Sequence, residues 1–207
     1  MSANHAAFNL IFRFVENYVS PIAGRISSQR HVMAIRDGFI SAMPFMIVGS
    51  FLLVFAYPPF SPDTTWGFAR AWLDMAKQFE GQILTPFDMT MGIMSIYICA
   101  AIAYNLGKHY VKSHQLDPFM CAMLSLMAFL LVAAPKTKGT LPVDSLGGTG
   151  IFTAILVAIY CVEMMRFLKA HNIGIRLPDQ VPPMIKNSFD LLIPVLVVVL
   201  TLYPLSL

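Results

Sequence analysis

Charge is what this sequence has least of. Fourteen basic and 11 acidic side chains make up 12% of its 207 residues, where an ordinary soluble domain carries about 25%. Apolar residues fill the gap at 57%. A globule of this length could not cover its surface with so few polar groups, which excludes a soluble enzyme and a disordered chain. Cysteine is scarce as well. Cys99, Cys121 and Cys161 lie inside apolar runs, are odd in number and show no CxxC spacing, so a disulfide scaffold is excluded and a metal role disfavoured. A secretory signal peptide is not expected either, because four arginines precede the first long apolar run and no small-residue cleavage pattern follows it. The net charge of +3 gives no sign of a nucleic-acid partner. What is plentiful is Phe (16), Met (14) and Pro (14), and proline is commoner in membrane helices than in soluble ones. The lipid bilayer is the first expected partner.

Five stretches suit a bilayer-crossing helix, which needs about 20 apolar residues: 38–57, 83–106, 119–134, 151–168 and 189–207. The first is free of charge and contains Pro44 and Gly49. The second has a charge-free core from Met89 to Leu106, with Asp88 at its mouth. The third stands between Pro118 and Pro135 and would reach only about 24 Å. The fourth ends where Glu163, Arg166 and Lys169 appear, and Asp190 opens the fifth, which contains Pro194. The fold class expected is therefore an all-α membrane protein.

Basic residues set the orientation. The connections 1–37, 107–118 and 163–190 hold four, two and four Lys and Arg; 58–82 and 135–150 hold two each. The first group faces the cytoplasm on this count, 10 against 4, so the N-terminus is expected to be cytoplasmic. All five histidines (His5, His31, His109, His114 and His171) fall on that side. The loops 107–118 and 169–188 are then cytoplasmic, and 58–82 and 135–150 extracytoplasmic.

Two segments have the pattern of helices lying along the membrane. Within 1–37, Phe8, Ile11, Phe12, Val15, Val19 and Ile22 recur at the helical period, with Pro21 ending or bending the helix. Within 58–82, Thr65–Phe79 is amphipathic. Asp63 or Thr64 is placed to cap its start, Gly81 to end it, and Arg70 and Asp74 to pair at i, i+4. Both tryptophans, Trp66 and Trp72, are here, suiting the headgroup layer.

The search for chemistry returns little. Asp88 is a candidate substrate-binding residue because a carboxylate at a membrane mouth is a functional hypothesis by default. Glu163 and Arg166, at i, i+3, are expected to form an interfacial ion pair, and Asp190 to favour a helix N-terminus. Gly147-Gly148-Thr149-Gly150 lacks both phosphate-binding patterns, GxxxxGK[ST] and GxGxxG, and is expected to be a tight loop admitting the fourth span. His109 and His114 share a loop with Lys108 and Lys112, which disfavours a cation. No metal, cofactor or catalytic residue is assigned, and no span carries a run of polar groups able to bind a sugar.

Four blocks carry a resemblance. They are HVMAIRDGFISAMPFMIVGSFLL (His31–Leu53), DMTMGIMSIYICAAIAYNLGKHY (Asp88–Tyr110), LGGTGIFTAILVAIYCVEMMRFL (Leu146–Leu168) and LPDQVPPMIKNSFDLLIP (Leu177–Pro194). In order and spacing the sequence resembles the membrane component, enzyme IIC, of bacterial phosphotransferase sugar transporters, within the lactose/cellobiose/diacetylchitobiose group. The resemblance implies uptake of a disaccharide or β-glucoside coupled to phosphorylation, in the bacterial cytoplasmic membrane. It also implies a homodimer and the phosphocarrier partners IIA and IIB, whose last phosphate donor is a IIB cysteine. None of the three cysteines here suits that role. The family's sugar-site histidine (GIHG-like) and glutamate (NEP-like) lie in its second half, and neither motif occurs here. The chain is expected to be the N-terminal scaffold half of an enzyme IIC and inactive by itself, through natural truncation, a frameshift or a cut. Whether it retains any enzymatic role is left open. One half of a split transporter is an alternative. Another is a membrane scaffold modulating full-length permeases, for which Gly92, Ala100, Ala101 and Ala103 supply small packing residues.

Overall fold

The computed structural model describes residues 16–17, 20–133, 143–175 and 182–206. Phe8, Ile11, Phe12, Val15 and Val19 of the expected N-terminal helix, and most of the LPDQVPP stretch, lie outside them. The described elements are helical: α1 (Ser20–Ser27), α2 (Arg30–Ala56), α3 (Gly67–Phe87), a π-helical turn (Asp88–Gly92), α4 (Met94–His114), α5 (Pro118–Ala133), 3-10 turns at Val143–Ser145 and Gly148–Gly150, α6 (Ile151–Ala170), α7 (Pro183–Asp190) and α8 (Leu192–Ser206). Three continuous helical stretches are long and apolar enough to cross a membrane, Arg30–Ala56, Gly67–His114 and Gly148–Ala170, and the shorter apolar helices Pro118–Ala133 and Leu192–Pro204 accompany them.

Helix α4 is the axis of the bundle, packing against α2, α5 and α6. Its buried residues, Ser95, Ile98, Cys99, Ile102, Ala103, Leu106, Gly107 and Tyr110, follow the i, i+3, i+4 rhythm of one helical face. The three cysteines are fully buried free thiols on α4, α5 and α6. Cys99 Sγ donates to the Ser125 carbonyl at 3.5 Å. They fill core space as small hydrophobes.

On the inner face of α2, Ala34, Gly38 and Ala42 are buried at four-residue spacing, whereas Ile40, Met43, Ile47, Phe51 and Val54 are exposed. That inverts the arrangement of a soluble helix. Small residues let two membrane helices approach closely, and large apolar side chains face outward. A Cβ on Gly38 would strike Ile102 Cγ1 and stand 2.9 Å from the Ile102 backbone nitrogen. Of the small residues expected to permit packing, Ala103 is fully buried, while Gly92, Ala100 and Ala101 are half-buried.

Several helix ends differ from expectation. Pro21 lies in α1, and the expected helix that it would end or bend lies mostly outside the described residues. Trp66, not Asp63 or Thr64, is the N-cap residue of α3, and no side chain caps it there. Gly81 does not stop α3, which runs six residues further. Arg70 and Asp74 are both exposed and form no ion pair. Pro86 lies inside α3, and the π-helical turn follows at once, with Thr90 Oγ1 donating to the Pro86 carbonyl at 2.8 Å. A π-turn relieves a ladder disturbed by proline without ending the helix. The stretch from 83 thus belongs partly to α3, and α4 begins only at Met94.

Residues 107–114 are not a loop. Helix α4 continues two turns past Leu106 because Gly107 sits at a close crossing, its hypothetical Cβ 3.0 Å from Cys121 Sγ, and Tyr110 still has core to pack against. The stop is Gln115, left-handed at φ 52°, whose N–H bonds the Val111 carbonyl at 3.0 Å. Asp117 then starts α5, accepting from the Phe119 N–H at 2.8 Å and the Met120 N–H at 3.3 Å, with Pro118 in the first helical position.

The glycine cluster is a tight turn pressed on the start of α4, as its composition suggested. The Ser95 N–H bonds the Leu146 carbonyl at 3.0 Å, and Ser95 Oγ donates to the Gly147 carbonyl. A Cβ on Gly150 would strike the Ser145 carbonyl. Beyond α6, Tyr160 Oη donates to Thr201 Oγ1 of α8 at 2.7 Å, tying the last helix to the bundle.

Candidate functional site

Polar side chains converge at the end of the bundle where α2 begins and α4 and α6 finish. Arg30 and His31 open α2. Tyr110 lies in the last two turns of α4, and Glu163 and Arg166 in the last two of α6. Each is there because its helix runs slightly past the apolar core, so a long side chain can stay at the rim while its stem packs inward.

Glu163 is the centre of the cluster. Its Oε1 is 2.9 Å from His31 Nε2 and accepts from the Tyr110 hydroxyl at 2.6 Å. Its Oε2 accepts from Arg166 Nε, also at 2.6 Å. Three helices are thereby joined through one carboxylate. The guanidinium carbons of Arg30 and Arg166 stand 5.6 and 5.4 Å from the centre of the Tyr110 ring, within cation–π range. A cavity of about 380 Å³ opens among these side chains, with Ser28 and Gln29 at its edge.

Chemically this is a clamp. Both Glu163 oxygens are occupied, so the carboxylate is no free base, and the Tyr110 proton is committed to it. The expected Glu163–Arg166 pair is present. His31 and Tyr110 were not expected to join it, since their partners lie 132 and 53 residues away. The available signal was topological, because the basic-residue count placed His31 on the same side as Glu163.

A second pair lies nearby. Lys169 Nζ donates to Asp190 Oδ2 at 2.6 Å. Asp190 therefore does not open the fifth span. It ends α7, Leu191 separates it from α8, and an ion pair rather than a helix N-terminus is its partner. A cavity of about 520 Å³ adjoins this pair, with His114, Asn172 and Lys186 in its wall. His109 and His114 stand on α4, and His114 Nδ1 is 2.8 Å from the Ser113 hydroxyl. Among the described residues no group of three His, Cys, Asp or Glu is placed to hold a metal ion.

Asp88 lies apart from all of these. It opens the π-helical turn before α4, half-buried, while Tyr110 is near the other end of that helix. Among the described residues nothing bonds its carboxylate, and the structure brings it together with no other candidate.

Comparison with known proteins places the chain. A family model described as "Phosphotransferase system, EIIC" matches residues 36–207. The cellobiose-specific EIIC component of Geobacillus stearothermophilus is 37% identical over 206 residues, covering 90% of this chain and 43% of the relative. The lichenan permease IIC component of Bacillus subtilis (strain 168) is 34% identical over 203 residues, covering 90% and 42%. Among solved structures, the transporter ChbC, the IIC component from the N,N'-diacetylchitobiose-specific phosphotransferase system, superposes with a TM-score of 0.78 at 34% identity, over 93% of this chain and 46% of that one. The chain spans less than half the length of each of these relatives. With the family model covering most of its residues and these relatives a third or more identical, the chain belongs to the phosphotransferase system EIIC family of membrane permeases.

Proposed function

We propose that these 207 residues form the scaffold part of a sugar permease that takes up a disaccharide or β-glucoside of the cellobiose or diacetylchitobiose type and presents it for phosphorylation. The observation that carries this reading is the likeness to ChbC along nearly the whole chain. The relatives named for cellobiose and lichenan support the sugar class. The side chains support the scaffold role. Among the described residues the bundle core is largely apolar, and the Glu163 carboxylate is taken up in clamping α2, α4 and α6. Transport then requires a sugar-binding part in addition to this segment, together with IIA and IIB phosphocarriers and a second copy of the scaffold. Asp88 is the position in the segment to probe for sugar contact, by Asp88→Asn in a complete permease.

Cells lacking their own β-glucoside permeases and expressing only these 207 residues are expected to take up no labelled cellobiose or chitobiose. Uptake by them would contradict the scaffold assignment. The segment is proposed to lie in the bacterial cytoplasmic membrane with the Glu163 clamp on the cytoplasmic side. A cysteine introduced at the exposed Arg36 should resist an impermeant maleimide in intact cells and react after permeabilisation. A second reading, a scaffold that associates with full-length permeases, is favoured by the exposed apolar stripe on α2 and predicts co-purification with an intact permease.

A further inference from the structure

We propose that the cavity between Arg30, Tyr110 and Arg166 binds a phosphate group, carried by an anionic phospholipid of the membrane in which the bundle sits. Charge balance is the first ground. Two guanidiniums and an imidazole surround a single carboxylate, Glu163. Arg30 has no carboxylate partner among the described residues; it stands over the Tyr110 ring and beside its hydroxyl. Arg166 is engaged by Glu163 through Nε, leaving its terminal nitrogens to meet a second anion. Planar, multiply donating guanidiniums are the groups best suited to phosphate oxygens.

Position is the second ground. Helix α2 has 27 residues and a length of about 40 Å, roughly 10 Å more than the hydrocarbon layer. Its first turns, with Arg30 and His31, therefore project into the headgroup layer when Ile40, Met43 and Ile47 are immersed. Those three side chains are 56%, 47% and 51% exposed, recur at the spacing of one helix face and fix the depth at which α2 sits in the hydrocarbon. Basic pockets between membrane helices on the cytoplasmic side suit such headgroups. The inference rests on the membrane placement of α2 and not on sugar chemistry, so an uptake result does not decide it.

The test is native mass spectrometry of the full 207-residue chain in detergent, titrated with phosphatidylglycerol or phosphatidylcholine, with inorganic phosphate added in a parallel thermal-shift series. Phosphatidylglycerol should be retained in preference to phosphatidylcholine. Arg30→Gln should weaken its retention about fivefold, Arg30→Lys should keep most of it, and Lys108→Gln, a basic residue outside the cavity, should bind as the unaltered chain does. Circular dichroism checks that Arg30→Gln keeps its helix content. Stabilisation by inorganic phosphate that needs Arg30, without any preference for phosphatidylglycerol, would support the phosphate site and assign it to the free ion. The proposal is overturned if neither probe depends on Arg30, or if Lys108→Gln loses as much lipid as Arg30→Gln.

Discussion

Glu163 shows how a membrane bundle can keep a carboxylate at its rim. Its side chain is 25% exposed, and three donors from three helices meet it. Taking a charge partly out of water is unfavourable, and removing one partner from such a group leaves the others uncompensated. Glu163→Ala strands the Arg166 guanidinium, the His31 ring and a buried hydroxyl, and is expected to cost about 2 kcal/mol, reduced from the fully buried case because water still reaches the site. Glu163→Gln keeps acceptor and shape and should cost roughly half as much. Thermal unfolding in detergent ranks the two, and equal melting temperatures for both variants and the parent would contradict the clamp. The sequence made part of this group visible. Glu163 and Arg166 share a face by spacing alone, but nothing local points Tyr110 or His31 at them, because both contacts are made by folding. Asp88 was visible for the opposite reason. An isolated acid in an apolar run is conspicuous whether or not anything contacts it.

At the scale of the helix, apolar runs located the elements and misjudged their ends. Gly81 and the end of the apolar run at Leu106 read as places to stop, yet α3 and α4 pass through both. A helix continues where the next side chain still has something to pack against, and Tyr110 does. Gln115 carries no left-handed signal that would have marked the true end of α4. The π-helical turn is equally hidden, since Pro86 announces a disturbance and not the form it takes. What the small residues do was only half legible. Ala103, named as a packing residue toward another permease, lies instead in the core of this bundle, and the critical contact is Gly38 against Ile102. A side chain there meets backbone as well as side-chain atoms, so the helices must separate. Gly38→Leu is expected to destabilise the bundle by about 3 kcal/mol and to lower its melting temperature well below that of Ile40→Leu, a swap on the exposed face of the same helix. Similar losses in the two variants would mean that the α2–α4 crossing is not close.

For the whole molecule, shortage of charge and the five apolar runs sufficed for the class, and four sequence blocks for the family. The shape of the bundle explains why that much was readable. Each membrane helix satisfies its own backbone, so the spans declare themselves one by one, whereas the clamp depends on how the helices are arranged. The same arrangement bears on function. An apolar core pinned by the Glu163 clamp suits a rigid frame better than a moving, solvated sugar path. This bundle is proposed to be the interchangeable frame of a β-glucoside permease. The direct test is to replace the matching segment of the Geobacillus stearothermophilus cellobiose-specific EIIC component with residues 1–207 and measure labelled cellobiose uptake in cells supplying IIA and IIB. Uptake that is restored, with the sugar preference of the recipient permease, is the result predicted. Uptake with a changed sugar preference would contradict the account, because the specificity would then reside in the bundle described here.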